Sequence, residues 1–452
     1  MDDETIVALA TPPGQAGIAV IRLSGSKSHA IVRAIFEPLP GTWHGRKSYH
    51  GFIHSQGERV DECLVTVFKA PRTYCGEDMA EISLHSNLAI IEAVIDLTCR
   101  LGARPALPGE FTYRAFRNGK MDLLQAEAVN ELIRANSRVF ALMEFGNLEG
   151  RLSHMVGSIR ARLLEMAVAI ETDIEFAEDQ RLETDAIDPN LEVAINDLEK
   201  ILGQSRFNET LDQGMQIVIA GRVNVGKSSL FNALLMKERS IISHLPGTTR
   251  DYIQEKLHID GWLFRITDMA GIREGSGDDI ENQGMRRSRD KIAQADAVIF
   301  MVDASQALQA GDQEIFALIR DKNRILLANK KDLAPPTAIE NIRRAFPDEI
   351  IHLVSAKNGE NLEPIIDFLK NLWRQIADPA CTTVVNLRQK TLLAKLLENL
   401  RHIEQWQTQS PIQTEMIAED IRRGLRLIGE LTGAVSSAEI LQGIFAKFCI
   451  GK

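Results

Sequence analysis

Residues 221–230 read GRVNVGKSSL, and no other stretch constrains the fold of this chain as tightly. They follow the apolar run Ile217-Val218-Ile219-Ala220 and lead into the helix-prone Leu230-Phe231-Asn232-Ala233-Leu234-Leu235. A strand that turns sharply into a helix through Gly221, four intervening residues, Gly226, Lys227 and Ser228 is a P-loop. Its backbone N–H groups form a concave nest at a helix N-terminus, which holds a phosphate chain with few side chains. The glycines let the backbone close round the anion. Lys227 brings positive charge to the outer phosphates, and the Ser228 hydroxyl suits Mg²⁺. Val225 and Ser229 complete the expected contact set of this loop.

A length of 452 residues suggests roughly three domains. Apolar residues at 44% and charged residues at 25% are those of an ordinary globular protein. The formal charge of -10 argues against a broad polyanion-binding surface, so any nucleic-acid contact must be local. Cys63, Cys75, Cys99, Cys381 and Cys449 show no zinc spacing, and their odd count suits a reducing, cytoplasmic location. No stretch has the length of a membrane span, and the acidic start Asp2-Asp3-Glu4 is unlike a signal peptide, so no membrane partner is expected. The final Cys449-Ile450-Gly451-Lys452 fits a prenylation box poorly.

Along the chain, residues 1–118 read as a mixed α/β domain, with short strands over 18–23 and 63–68 and helices over 31–36 and 88–100. Residues 119–211 turn helical: Leu124, Ala128, Leu132 and Ile133, then Ile159, Leu163, Met166 and Ile170, recur at three- and four-residue steps. Asp188-Pro189 opens another helix with Leu191, Ile195, Leu198 and Leu202 on one face. Residues 212–376 form the P-loop segment. Helical character returns over 377–452, with Leu392, Leu393, Leu396, Leu397, Leu400 and Ile403 on one helix and Ile417, Ile421, Leu425 and Ile428 on the next. The expected fold is therefore multidomain α+β and α/β: a discontinuous all-α domain interrupted by an inserted Ras-like α/β domain, after an N-terminal mixed domain.

Within the insert each apolar strand ends in a polar signature, as an α/β sheet with its site at the strand C-termini requires. Residues 252–259 and 262–267 flank Asp260-Gly261 as a hairpin, with Leu257, Ile259, Phe264 and Ile266 alternating. That hairpin leads to Asp268-Met269-Ala270-Gly271, where an acidic residue can hold Mg²⁺ through water and the Gly271 N–H can meet the γ-phosphate. Strands over 298–302, 325–328 and 350–354 follow. The second ends in Asn329-Lys330-Lys331-Asp332 and the third in Ser355-Ala356-Lys357. A carboxylate such as Asp332 can accept from both N1–H and the 2-amino group of guanine, whereas adenine would leave it unpaired. The expected nucleotide is GTP. Ras-type enzymes place a water-orienting Gln after the DxxG motif and use an arginine finger. Here that position is Ile272, so another group must serve, and residues 273–289 offer Glu274, Asp278, Asp279 and Glu281.

Further motifs are Thr11-Pro12-Pro13-Gly14, Ile21-Arg22-Leu23-Ser24-Gly25, Thr73-Tyr74-Cys75-Gly76-Glu77-Asp78, Arg104-Pro105, Pro108-Gly109-Glu110-Phe111-Thr112, Lys120-Met121-Asp122-Leu123, Gly247-Thr248-Thr249-Arg250-Asp251 and Phe448-Cys449-Ile450-Gly451-Lys452. On these the chain resembles the MnmE (TrmE) family of tRNA-modifying GTPases over nearly its whole length. The resemblance implies an N-terminal folate-binding and dimerising domain, a discontinuous helical domain and an inserted G domain. It implies a homodimer whose G domains pair when K⁺ and GTP are bound. It further implies a flavin-dependent partner, MnmG (GidA), in a heterotetramer that installs a carboxymethylaminomethyl or aminomethyl group at C5 of wobble uridine in certain tRNAs. The one-carbon donor expected from the resemblance is a tetrahydrofolate derivative, in 5-formyl or methylene form.

Motif by motif, the resemblance places K⁺ ligands at Asn224, Ser243, Leu245 and Thr248, and Mg²⁺ ligands at Ser228 and Thr249. His244, Pro246 and Gly247 complete the nucleotide contacts of that loop. The catalytic pair is Lys227 with Glu281, which would orient water; one extra residue over 275–278 keeps Glu274 and Asp279 as rivals to Glu281. A monovalent cation beside the phosphates can offset the charge that an arginine would otherwise meet. The folate positions are Arg22, Glu81, Lys120 and Lys452, cations for glutamyl carboxylates and a carboxylate for a pterin donor edge. Two departures are Val223 where many relatives have Pro, and Met269 where they have Thr. A second reading makes the chain a GTP-gated RNA or ribosome assembly factor without modification chemistry, which gives Arg22, Glu81, Lys120 and Lys452 no role.

Overall fold

The computed structural model describes residues 4–39, 41–175, 188–205, 211, 213–238, 254–268, 290–375, 383–409 and 413–452. They divide into two units: Met1–Ile133, Phe145–Leu202 and Leu387–Lys452 in the first, Arg134–Glu144 and Gly203–Asn386 in the second.

The first unit opens with β1 (Thr5–Leu9), β2 (Ala16–Ser24), α1 (Ser28–Ile35), β3 (Phe36–Glu37), β4 (Ser48–Ser55), β5 (Glu58–Phe68), β6 (Met79–Ser86), α2 (Leu88–Arg100), β7 (Ala103–Pro105) and α3 (Glu110–Arg117). The strands form one sheet in the order β3-β4-β5-β6-β2-β1-β7. Only the β1–β7 pair is parallel. Period-2 alternation sends Ala19, Ile21, Leu23, Val65, Val67, Ile82 and Leu84 to the face that packs on Ile31, Val32, Ile35, Ile91 and Val94 of α1 and α2. The Asn87 side chain caps α2 by accepting from the Ala89 and Ile90 N–H groups, so this helix starts where its periodicity predicts. The predicted helix over 31–36 begins earlier, at Ser28, and loses Phe36, which pairs with Ile53 as the first residue of β3.

Helices follow: α4 (Leu123–Arg134), α5 (Arg138–Leu148), α6 (Arg151–Glu175) and α7 (Asp188–Ser205). Ile159, Leu163, Met166 and Ile170 of α6 are at most 1% exposed, an unbroken helical stripe. On α7 the buried positions are Leu191, Ala194, Leu198 and Ile201, and the predicted Ile195 and Leu202 flank them half-buried.

The second unit contains β8 (Met215–Ala220), α8 (Lys227–Glu238), β9 (Gln254–Ile259), β10 (Trp262–Asp268), β11 (Ala297–Asp303), α9 (Ala310–Leu318), β12 (Asn323–Asn329), α10 (Pro336–Ala345), β13 (Ile351–Leu353) and α11 (Glu363–Arg374). The sheet order is β13-β12-β11-β8-β10-β9, parallel except for β9. Every residue of β11 is buried, as a strand covered on both faces requires. Asp260 and Gly261 both have positive φ, the type I′ geometry that the Asp-Gly pair predicts for the β9–β10 hairpin. Residues 134–144 lie inside the stretch whose periodicity reads as the helical domain, yet they belong to this unit. Val139, Phe140 and Met143 enter its core, and the Val139 N–H donates to the Gly261 carbonyl at 3.2 Å.

The first unit resumes with α12 (Leu387–Gln407), α13 (Thr414–Thr432) and α14 (Ala438–Phe445). Leu393, Leu396, Leu400 and Ile403 face inward from α12, and Ile417, Ile421 and Ile428 from α13. Gly424 lets α13 approach closely, since a Cβ there would lie 3.2 Å from Leu163 of α6 and 3.4 Å from Leu396.

Candidate functional site

Strand β8 has β10 on one side and β11, β12 and β13 on the other, so its C-terminal end is the switch point where an open α/β sheet forms its ligand crevice. Residues 221–226 turn there into α8. Asn224 has φ +63° and Gly226 φ +101°, so the loop backbone takes the left-handed conformations from which a nest is made. A Cβ on Gly226 would lie 2.2 Å from Asn329 Nδ2, and one on Gly221 2.4 Å from the Met301 carbonyl oxygen. Only glycine fits either place. Lys227 is 4% exposed, and its ammonium donates to the carbonyls of Gly221 at 3.0 Å and Arg222 at 2.8 Å. Ser228 and Ser229 lie in the exposed first turn of α8.

The predicted base-recognition loops converge on this turn. Asn329, the last residue of β12, donates from Nδ2 to the Val225 carbonyl at 2.7 Å and accepts the Ala356 N–H on Oδ1 at 2.9 Å. One buried amide thus ties three loops. Ser355 Oγ donates to Asp332 Oδ1 at 2.8 Å, holding the carboxylate expected to read guanine, while Lys357 remains exposed. Asp268 ends β10, in register with Ile219 of β8.

Asp303 went unassigned in the sequence. It ends β11 and is 9% exposed, accepting from Lys330 Nζ at 2.6 Å, Ser305 Oγ at 2.6 Å, the Ser305 N–H at 2.9 Å and Gln306 Nε2 at 3.1 Å. Burial opposes its charge, but hydrogen bonds from Lys330 and Ser305, with the lysine charge beside it, outweigh that penalty and hold the carboxyl below its ordinary range. Its signal was present: an acidic residue at the end of an otherwise apolar strand. Ser243, His244, Leu245, Pro246, Gly247, Thr248, Thr249, Met269, Ala270, Gly271 and Glu281 lie outside the described residues.

A second cluster lies in the first unit, on the sheet face away from α1 and α2. Register pairs Arg22 of β2 with Glu81 of β6. The guanidinium meets Glu81 Oε1 from Nε at 2.9 Å and from Nη2 at 2.8 Å, and donates from Nη1 to the Gly451 carbonyl at 3.2 Å. The rings of Tyr74 and Phe111 lie 5.6 and 5.8 Å from it. Gly451 has φ +89°, and a Cβ there would fall 2.2 Å from the Leu9 carbonyl oxygen. Burial, then the charge of Arg22, holds the Lys452 ammonium below the usual lysine range. Three of the four predicted folate positions are thus adjacent. Lys120 stands apart from this bond set, donating to the Pro71 carbonyl at 3.1 Å on the loop that carries Tyr74. Burial pushes the nearby Cys75 thiol up to about 11, so it is no nucleophile at neutral pH; Cys449 is exposed.

A parallel sheet with a P-loop at its switch strand, tied to Asn-Lys-x-Asp and Ser-Ala-Lys loops, defines a P-loop GTPase. The family model for the N-terminus of the GTP-binding protein TrmE matches residues 5–120, and that for the MnmE helical domain matches residues 123–449. Proteins named tRNA modification GTPase MnmE are similar over the full length. Those of Thermotoga maritima and Aquifex aeolicus are each 38% identical, covering 99% of this chain and 100% of the relative, and that of Moorella thermoacetica is 37% identical over 100% of both. The chain belongs to the MnmE family. Among the described residues no helix is long and apolar enough to cross a membrane.

Proposed function

We propose that this GTPase couples hydrolysis to modification of tRNA, installing an aminomethyl-type group at C5 of wobble uridine with a tetrahydrofolate one-carbon donor and the flavin-dependent partner MnmG. The observation that carries the nucleotide half is the Asn329 bridge, which links the phosphate loop to the loops proposed to read the base. Asp332 would accept from the guanine edge, Lys227 would meet the outer phosphates, and Ser228 with Thr249 would hold Mg²⁺. The exposed left-handed Asn224 suits a K⁺ ligand, with Ser243, Leu245 and Thr248 completing the set. K⁺ supplies positive charge next to the phosphates, and Glu281 would orient the attacking water.

The donor set of the second cluster fits a folate. Glu81 offers an acceptor for a pterin edge, Arg22 and Lys452 offer charge to carboxylates, and the Tyr74 and Phe111 rings supply an apolar wall. Lys120 would extend the cationic side. A homodimer with paired G domains is part of the same reading, as are the domain limits 1–118, 119–211, 212–376 and 377–452.

Turnover of GTP in KCl against NaCl tests the first half. A large potassium preference is expected, reduced in Asn224→Ala, with near-complete loss of turnover but retained nucleotide binding in Glu281→Ala. Equal rates in the two salts would overturn the K⁺ assignment. Titration with 5-formyltetrahydrofolate tests the second: wild type binds and Glu81→Ala does not. Absence of binding in the wild type, together with normal wobble uridine in a deletion strain, would favour the assembly-factor reading.

A further inference from the structure

Several exposed cations of the first unit are paired with carboxylates. On α13, Arg426 meets Glu419 at 2.8 Å and Arg422 meets Glu171 at 3.4 Å. Elsewhere in the first unit Arg388 is paired with Glu127 and Arg401 with Glu199. Around the β5–β6 loop the pattern reverses. The turn before β4 is joined to the end of β5, because the Arg46 N–H donates to the Val67 carbonyl at 2.7 Å. Arg46 Nη2 then reaches the Arg72 carbonyl at 3.0 Å. From the other side Lys120 donates to the Pro71 carbonyl, and Asn118 Nδ2 to the Cys75 carbonyl at 2.7 Å. Three segments distant in sequence thus gather Arg46, Lys47, Lys69, Arg72 and Lys120, all exposed. Among the described residues none of the five forms an ion pair with a carboxylate.

The carboxylates on that loop are already committed. Glu77 accepts from Ser24 Oγ, Arg114 and Arg117, and Asp78 accepts the Ala70 N–H and faces His29. A chain with a formal charge of -10 therefore concentrates uncompensated positive charge on one small surface. Five exposed cations gathered from three segments, of which Arg46 and Lys120 bond to backbone carbonyls, suit the phosphate backbone of a polyanion.

We propose that this loop surface is where tRNA docks on the first unit, through backbone phosphates rather than bases. The inference rests on the reading of this chain as a tRNA-modifying enzyme. It adds that the RNA is held by the same loop whose Tyr74 borders the Arg22 cluster, so docking and the proposed folate site share one structural element.

Binding of unmodified tRNA to the full-length protein tests it by fluorescence anisotropy across a KCl series. The double variant Lys47→Glu/Lys69→Glu changes two side chains with no hydrogen bond among the described residues, and Arg46→Glu/Arg72→Glu is a second pair. Each double variant should bind tRNA roughly tenfold or more weakly, with the slope of log K against log salt reduced by roughly 0.7–0.9 per contact removed. Turnover of GTP without tRNA and the thermal midpoint should stay at wild-type values, and Lys395→Glu on α12 should bind like wild type. Unchanged affinity and slope in both double variants would overturn the inference alone. A wild type without affinity for tRNA would overturn the parent reading and the inference with it.

Discussion

Asn329 and Val225 lie 104 residues apart in sequence, and a single 2.7 Å bond from the Asn329 side chain to the Val225 carbonyl joins the Asn-Lys-x-Asp loop to the P-loop. The same amide accepts the Ala356 N–H. Asn329→Ala strips partners from a buried carbonyl and a buried N–H, each worth about 1–3 kcal/mol when left unmade. Affinity for GTP should fall at least tenfold by fluorescent-nucleotide titration, with a lowered thermal midpoint. Wild-type affinity in this variant would show that the bridge does not organise the site.

Lys330 holds φ +64°, a left-handed conformation that disfavours a residue with a Cβ, and its ammonium is anchored on Asp303. Asp303→Ala should release the turn that presents Asp332 and weaken GTP binding by about 1–2 kcal/mol, roughly a factor of 5–30. On the proposed reading Asp332 would accept from the 2-amino group of guanine, so preference for GTP over ITP should narrow in the same variant, which a general loss of stability would not cause.

The depressed Asp303 carboxyl also sets a pH dependence. Its stabilising contribution is present above the ordinary carboxylate pKa of about 4 and is lost only as pH falls through its lower folded value. Acid unfolding of the wild type, followed by Trp fluorescence, should therefore show a component below about pH 4 that Asp303→Asn lacks. Identical acid limbs for the two proteins would rule this out.

Trp262 and Trp373 stack with centroids 4.5 Å apart and planes 14° apart, and both are at most 9% exposed. Trp373→Ala removes this contact and the edge contact to Phe264, and should cost about 3–5 kcal/mol of the second unit's stability by urea titration. Trp373→Phe should recover most of it.

Gly451 cannot carry a side chain where it passes Leu9. Gly451→Ala should displace the carbonyl that Arg22 donates to, weakening folate binding while GTP turnover stays unchanged. Folate affinity equal to wild type would separate the Arg22 cluster from that ligand.

The central strands of the second unit were legible because a strand buried on both faces has to be apolar throughout. The β9–β10 hairpin was legible because Asp-Gly favours a turn with two positive φ values, and Leu257, Ile259, Phe264 and Ile266 are buried as their alternation predicts. Periodicity could not reveal that residues 134–144 join the P-loop unit, since a helical face reads the same whichever core receives it. Asp303 was visible as the acidic end of an apolar strand, but its partner was not, because Lys330 reaches it only once β11 and β12 lie side by side. Arg22 and Glu81 read singly as surface charges. Their pairing is a matter of β2–β6 register, which no local pattern encodes.

Arg22 receives its backbone acceptor from a glycine 429 positions later, after the entire second unit has been made. During synthesis the early sheet must wait with that corner open, and a fragment restricted to the first hundred or so positions could fold its strands yet never finish it. Completion of the corner thus requires a chain synthesised through the whole of the second unit.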